Sequence, residues 1–315
     1  MAFPTDAAGS QTITTNAVFI PELWSDDVIA AYKKNLIIAN LVTKINHVGK
    51  KGDTIHIPKP GRGSASVKAA SASVTLITDT ATDLALTIGS HYEYSRLIED
   101  IVGVQAIDSY RGFYTNDAGY ALSTQVDNDL SALWEGLQGG TAGAGVWTSA
   151  VIGGDGSTAY DPTANTNTGN KSALTDAGIR KMIQTMDDAD IPQTDRNLVI
   201  PPVERNTLMG IARFTEDAFV GEAGASIRTG MIGDLYGIKV YVTSNAPTET
   251  AADTSTANRV GCLLHKDALV HIEQMAVRSQ TQYKQEFLAD LFTADTLYGV
   301  GELRNDGGIA FVVPA

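Results

Sequence analysis

Apolar residues at Ile107, Tyr110, Tyr114, Ala118, Leu122, Val126, Leu130, Leu133 and Leu137 recur every three or four positions, which places them along one face of an α-helix. Arg111, Asn116, Asp117, Asp127 and Asp129 fall on the opposite, solvent-facing side of that pattern. A helix over residues 107–137 would be ~45 Å long, well above the average for globular proteins. It needs a surface to bury against along its whole length, and the chain reads as organised around it as a spine. Gly112 and Gly119 lie inside this helix, where each costs ~1 kcal/mol relative to alanine. Close packing against another backbone and a point of bending are the two readings of that pair.

On the N-terminal side, residues 1–20 are rich in Ala, Ser, Thr and Gly and read as a mobile or partner-draped arm. Ser25 is a plausible N-cap, with Asp26 and Asp27 in the first turn of a helix running to about Lys34. Leu36–Val42 is apolar and is expected to dock nearby. From Lys50 the pattern changes. Asp53-Thr-Ile-His-Ile-Pro58 reads as a strand, Lys59-Pro-Gly-Arg-Gly63 breaks it, and Leu84, Leu86 and Ile88 alternate as a half-buried strand does. The expectation is two long antiparallel strands joined by a weakly apolar tip, an arm with almost no core of its own that needs a neighbour to lie on.

Beyond the spine, residues 138–170 are mostly Gly, Thr, Ser, Asn and Ala, and read as a long surface loop or inserted hairpin, with Trp147 and Tyr160 as anchors. Leu174, Ile179, Met182, Ile183 and Met186 predict a second amphipathic helix starting at Thr175 or Asp176. Asn197–Ile200 predicts a short buried strand, and Pro201-Pro202 a stop that opens a helix with Val203, Leu208 and Ile211 inward. A turn-rich stretch, 230–237, leads into a strand over Ile238–Thr243, and Val260–Leu264 is another buried strand. Asn305-Asp-Gly-Gly308 reads as a hairpin turn before a strand at Ile309–Val313.

Composition narrows the function classes. The chain has 315 residues, long enough for two or more subdomains, with 43% apolar and only 19% charged residues. A net charge of −13 disfavours general nucleic-acid binding. The single cysteine, Cys262, excludes an internal disulfide framework and lies in an apolar run, as a buried small hydrophobe does. No apolar run approaches the ~20 residues of a membrane span, and the first residues lack a signal-peptide pattern. The expectation is a soluble product made in a reducing cytoplasm.

Catalytic and ligand-binding patterns are absent. His47, His56, His91, His265 and His271 form no HExxH pair and stand near no CxxC. Asp187, Asp188 and Asp190 lack the glycine and downstream glutamate of a calcium loop and read as a solvated helix end. Gly140-Thr-Ala-Gly-Ala-Gly145 lacks the GK[ST] ending of a phosphate loop. No enzyme activity, cofactor or metal is expected.

One cluster of charge stands out against this. Between residues 50 and 68, Lys50, Lys51, Lys59, Arg62 and Lys68 face Asp53 alone, a local charge of +4 in a chain of net −13. These cations read either as edge-strand lysines that block unwanted pairing or as one half of an inter-subunit contact. The candidate acceptors on a neighbour are Glu99 and Asp100, or Asp187, Asp188 and Asp190. Arg62 is the strongest single candidate, because a guanidinium grips a carboxylate with two bonds.

Taken in order, several stretches resemble the major capsid proteins of tailed bacteriophages with the Hong Kong 97-like fold, and among them the short-tailed phage coat proteins most. The stretches are Ile20-Pro-Glu-Leu-Trp24, Ile57-Pro-Lys-Pro-Gly-Arg62 within the two-stranded excursion, Ile98-Glu-Asp100 with Tyr114 to Leu137, Asn197-Leu-Val-Ile-Pro-Pro202 between two helices, and Gly230-Met-Ile-Gly-Asp-Leu-Tyr-Gly-Ile-Lys-Val240 with Ser244-Asn245. The resemblance implies an α+β chain with an N-terminal arm and first helix (1–48), an extended loop (49–91), a peripheral domain (92–137 and 276–315), a Gly/Thr-rich loop or insertion (138–170) and an axial domain (171–275). It implies a structural subunit that assembles in the host bacterial cytoplasm into pentamers and hexamers of an icosahedral virion. The implied partners are further copies of itself, a portal protein, a separate scaffolding protein, packaged double-stranded DNA held without sequence specificity and, in some heads, decoration proteins. No membrane is involved. A nanocompartment shell of the encapsulin type, enclosing enzyme cargo, is the alternative on the same fold. A secreted adhesin would fit the Thr, Ser and Gly content but not the missing signal peptide.

Overall fold

The structure of the chain is a computed structural model that describes residues 37–59, 61, 63–71, 73–74, 76–77, 82–101, 110–140, 152–156, 172–211, 234–249 and 258–314. The expected first helix at 25–34, Trp24, Arg62, Trp147 and Tyr160 lie outside the described residues, as do residues 107–109 at the start of the spine.

Two sheets carry the fold. The larger has seven strands and a two-faced core. Along it run β5 (Ile152–Gly153), β13 (Gly308–Pro314), β10 (Asn258–His265), β6 (Arg196–Ile200), β8 (Ile238–Val242) and β7 (Asp234–Leu235), with β9 (Thr248–Glu249) against β10. Its central strands are buried on both faces, so they read as continuous apolar runs rather than alternations. The faces nevertheless divide by parity. Val199, Val260, Cys262, Leu264, Ala310 and Val312 enter one core cluster. Leu198, Ile200, Leu263, Ile309, Phe311 and Val313 enter the other. Helix α3 (Asp176–Asp188) covers this second face with Ile179, Met182 and Met186, as its period predicts, and Thr175 is its N-cap, accepting from the Gly178 N–H at 3.1 Å. The β7–β8 turn places Tyr236 and Gly237 at φ 53° and 79°, the left-handed pair of a two-residue hairpin.

Helix α4 (Pro202–Met209) starts on its proline as expected, and Leu208 with Ile211 beyond it packs inward as expected, but Val203 is exposed and Glu204 is buried. Residues four apart share a helix face, and the register fixed by Pro202 gives that face to 204 and 208.

The smaller sheet has the order β1-β11-β12-β4: Thr43–Asn46, Leu269–Lys284, Ala289–Glu302 and Ser90–Glu99. The strands β11 and β12 form a long hairpin that runs out beyond the cores. The turn expected at 305–308 does not make a second hairpin. It is a short 3-10 turn that carries the chain from β12 in one sheet to β13 in the other. Asn305 fixes it by accepting from the Gly139 N–H and donating to the Gly136 carbonyl. Residues 276–315, expected within one unit, therefore divide between the two sheets.

The spine is α2 (Tyr110–Ala132), continued by a 3-10 segment, Leu133–Gly139, with non-helical backbone at Leu137 and Gln138. Its C-terminal half buries Leu130, Trp134 and Leu137 in the first face of the larger sheet. Its N-terminal half lies on the smaller sheet, where Ala118 and Leu122 meet Phe292 and Ala294, with Tyr92 and Tyr94 beside them.

In the expected arm, two strands form a separate two-stranded sheet with a short ladder. Strands β2 (Thr54–Lys59) and β3 (Thr82–Thr87) pair over six residues each, from Thr54 with Thr87 to Lys59 with Thr82. The described residues between them belong to no strand. The run of Ser and Ala there offers too little side-chain contact to hold two strands together.

Candidate assembly surfaces

Lys50, Lys51, Lys59 and Lys68 of the arm are all exposed. At the tip, Val67 is 100% and Leu76 86% exposed, with Val74 and Ile77 also open. Its root is anchored. Leu86 and Ile88 pack on Val270 and Ile272. The Gln274 side chain donates to the Lys50 and Gly52 carbonyls at 3.1 and 2.8 Å. The arm crosses β12 where Gly299 and Gly301 carry no side chain. A Cβ on Gly299 would meet the Thr87 carbonyl oxygen at 2.7 Å, and one on Gly301 the Leu86 side chain at 2.5 Å. That close backbone approach is what glycine is needed for here.

The proposed acceptors divide. Asp187 is bound within its own subunit by the buried Arg196 at 2.6 Å, so it is a structural partner rather than a vacant acceptor. Asp100 accepts from the Tyr283 hydroxyl at 2.8 Å. Glu99 and Asp188 are exposed at the ends of β4 and α3. Asp190 and Lys59 line one cleft of about 620 Å³ between the arm and the larger sheet, together with Asp267, Arg304 and Asp306. A second exposed apolar group, Leu97, Ile101, Phe287 and Leu288, gathers at the far end of the smaller sheet.

Between these surfaces the spine is attached by polar groups that its sequence pattern assigned to solvent. Asp127 is 1% exposed. Its carboxylate accepts from the backbone N–H groups of Ile37 (3.0 Å), Ile38 (3.4 Å) and Ala39 (3.0 Å), and so caps α1 (Ile38–Leu41) from a distant part of the chain. Burial pushes this carboxyl above the usual carboxylate range, and the three N–H groups pull it back. Asp129 accepts from the Tyr298 hydroxyl at 2.7 Å and from Gln125 at 2.8 Å, and Asp117 accepts from the Tyr94 hydroxyl at 3.0 Å. Burial, then the neighbouring Asp129, raises the Tyr298 hydroxyl far above its ordinary value, so it stays a donor. Sequence reasoning missed this row because acids at helical spacing ordinarily face water. The one signal that could have found it is the set of tyrosines on β4 at every second residue, Tyr92 and Tyr94, which needs hydroxyl acceptors on whatever covers that face.

Of the two spine glycines, Gly119 faces open space: a Cβ there meets nothing within 4 Å. Close packing against the described residues does not explain it. His265 and His271 lie at the end of β10 and on β11, respectively. Burial lowers the His271 imidazole below its ordinary value. Among the described residues no group of three acidic, His or Cys side chains could hold a metal ion, and no helix is long and apolar enough to cross a membrane.

No protein-family model and no curated protein sequence matches the chain. Solved structures do. The chain is similar to a structure from Mycobacterium phage Che8, at 25% identity over 93% of this chain and 97% of that one, with a TM-score of 0.68. It is similar to the capsid of cyanophage P-SCSP1u, at 18% identity over 95% and 94%, TM-score 0.72. It is similar to the mature capsid of bacteriophage PhiM1, at 12% identity over 99% of both chains, TM-score 0.71. The α+β architecture is therefore that of bacteriophage capsid structures along nearly its whole length, consistent with the Hong Kong 97-like fold.

Proposed function

We propose that the chain is the major capsid subunit of a tailed bacteriophage, assembling as pentamers and hexamers into an icosahedral head around double-stranded DNA. The observation that carries this reading is the shared architecture over nearly the full length of phage capsid chains. The arm supports it independently, since a unit with fully exposed valine and leucine at its tip is built to be covered. The matched structures named above come from phages, which favours a DNA-filled head over an enzyme-filled compartment. A portal protein, a scaffolding protein and, in some heads, decoration proteins are the further partners of such a shell. An overall charge of −13 keeps packaged DNA loosely held, because affinity for DNA comes mainly from cations meeting phosphates. The test is electron microscopy and sedimentation of the expressed chain, with and without a scaffold. Closed shells or capsomers are expected, and a chain that remains monomeric at high concentration overturns the reading.

Two further outcomes follow from it. The arm's cations should set assembly against acidic surfaces of a neighbour. Each exposed pair is worth only ~0–1 kcal/mol, but a shell repeats it at every equivalent contact. Assembly yield by light scattering is expected to fall with salt, and Arg62→Glu to assemble less well than Arg62→Ala. Equal yields for both variants and the parent at low salt would leave the cations as a solvated edge.

Gly112 and Gly119 are proposed as the point where the spine changes curvature as the particle matures. Alanine at both positions is expected to keep the subunit folded, or stabilise it by ~1–2 kcal/mol on helix propensity, while slowing particle expansion. Expansion at the parental rate in the double variant removes the hinge.

A further inference from the structure

The cleft of about 620 Å³ beside the arm has two walls. Ile57, Pro58 and Leu84 line the arm's side, and Ala189 and Leu303 the body's. Pro58 is exposed and the other four are half-buried, so apolar surface faces an open gap from both sides. Five charged side chains share the cleft, and three of them are already engaged. Arg304 and Asp306 pair with each other at 3.4 Å, and Asp267 accepts from the Thr43 hydroxyl at 2.8 Å. Lys59 on the arm and Asp190 on the body are exposed, and neither side chain has a hydrogen-bond or ion-pair partner among the described residues.

Asp190 stands where an acid is unfavourable on two counts. Its backbone is left-handed, at φ 56°, a conformation that glycine adopts more readily. It also follows the C-terminal end of α3, whose last turn holds Asp187 and Asp188 and no basic residue. Negative charge there opposes the helix dipole. The buried Arg196 relieves Asp187. No described group does the same for Asp190, and the unclaimed cation across the cleft is Lys59.

The arm can move toward it. Leu86 and Ile88 hold its root on the smaller sheet. The outer pairs of the ladder, Ile57 with Leu84 and Lys59 with Thr82, have no third strand beside them. A two-stranded ribbon is only marginally stable by itself, and its outer end can bend without lifting the root.

We propose that in the unassembled subunit the outer end of β2–β3 closes onto its own body, Lys59 meeting Asp190 as the apolar walls come together. The latched arm is withheld from neighbours, and assembly begins when the latch opens. The closure is a property of the single subunit, and its consequence for assembly rests on the capsid reading above.

Variants of the full chain test it. In Pro58→Cys/Ala189→Cys the two thiols stand on opposite walls, Lys59 and Asp190 are untouched, and the native Cys262 is fully buried. A disulfide needs its Cα atoms within ~7 Å, so its rate of formation reports how often the cleft is closed. Oxidation of dissociated subunits is expected to give an internal disulfide at the mass of a single chain. Adding Asp190→Ala is expected to slow that reaction by about threefold, the worth of one exposed pair. Oxidised subunits should stay out of particles until reduced, and Asp190→Ala by itself should shorten the lag before assembly seen by light scattering. The latch is overturned if no internal disulfide forms, if Asp190→Ala leaves its rate unchanged, or if oxidised subunits assemble as promptly as reduced ones. Slower assembly by Asp190→Ala than by the parent also overturns it, since Asp190 would then serve a neighbour's arm. A parent chain that never assembles removes the capsid reading, while the disulfide rates still decide the closure.

Discussion

Alanine in place of Asp127 is expected to lower the unfolding free energy of the subunit by about 3 kcal/mol, because three backbone donors lose their acceptor in a buried site. Asparagine keeps one acceptor oxygen and should cost less. Urea unfolding of unassembled subunits, followed by circular dichroism, provides the measurement. Asp188→Ala is the control, because an exposed acid away from such features changes stability by only ~0.5 kcal/mol either way. A loss in Asp127→Ala no larger than in that control would refute the clamp. The pH dependence has a definite sign. Burial holds the folded-state carboxyl above its ordinary value, so the folded chain binds that proton more tightly than the unfolded one. Its pH-linked contribution is full below the unfolded value of about 4 and is lost as pH rises through the folded one. Asp127→Asn is expected to remove that part of the slope.

A single methyl group at Gly299 is expected to abolish particle assembly. The added Cβ would lie 2.7 Å from the Thr87 carbonyl oxygen and 3.1 Å from the Ile88 Cα. Both are backbone atoms, so no side chain can turn aside to make room. The arm must lift from β12 or the sheet must distort, at a cost of ~1–3 kcal/mol by analogy with overpacked cores. Even if the subunit tolerates that cost, an arm re-aimed at its root misplaces a tip more than six residues away. Gly299→Ala should therefore give folded subunits by circular dichroism but few particles by light scattering. Gly89→Ala, where the methyl meets nothing within 4 Å, is the matched comparison. Parental assembly by Gly299→Ala would show that the arm's direction is not set at this crossing.

Where the sequence was legible, one strong local pattern met one strong local demand. Thr175 begins α3, Pro202 begins α4, and the apolar runs at 197–200, 260–264 and 309–313 are central strands of one sheet. The arm showed in its composition, since nothing in residues 60–81 could make a core. What could not be read depended on distant partners. Asp127 has the spacing of a surface residue, and only the chain 90 positions earlier makes it an internal cap. Val203, expected inward, is exposed and Glu204 is buried, because a helix register is decided by what packs on it, not by hydropathy alone. The 305–308 turn has hairpin chemistry, but Asn305 is committed to the end of the spine, and the chain leaves for the other sheet. The arm's cations were legible as local charge, whereas the order of the strands in the two sheets has no local signature.

The position of Cys262 matters for life outside the cell. The chain's one thiol is 0% exposed in the core on the first face of the larger sheet, and burial raises it well above its ordinary value. Thiolate is the reactive form in oxidation and disulfide exchange. A shell displaying many copies of this chain would thus offer oxidants no accessible thiol at Cys262. It could pass from a reducing cytoplasm into an oxidising medium without random disulfides welding particles together, and without relying on disulfides to stay closed.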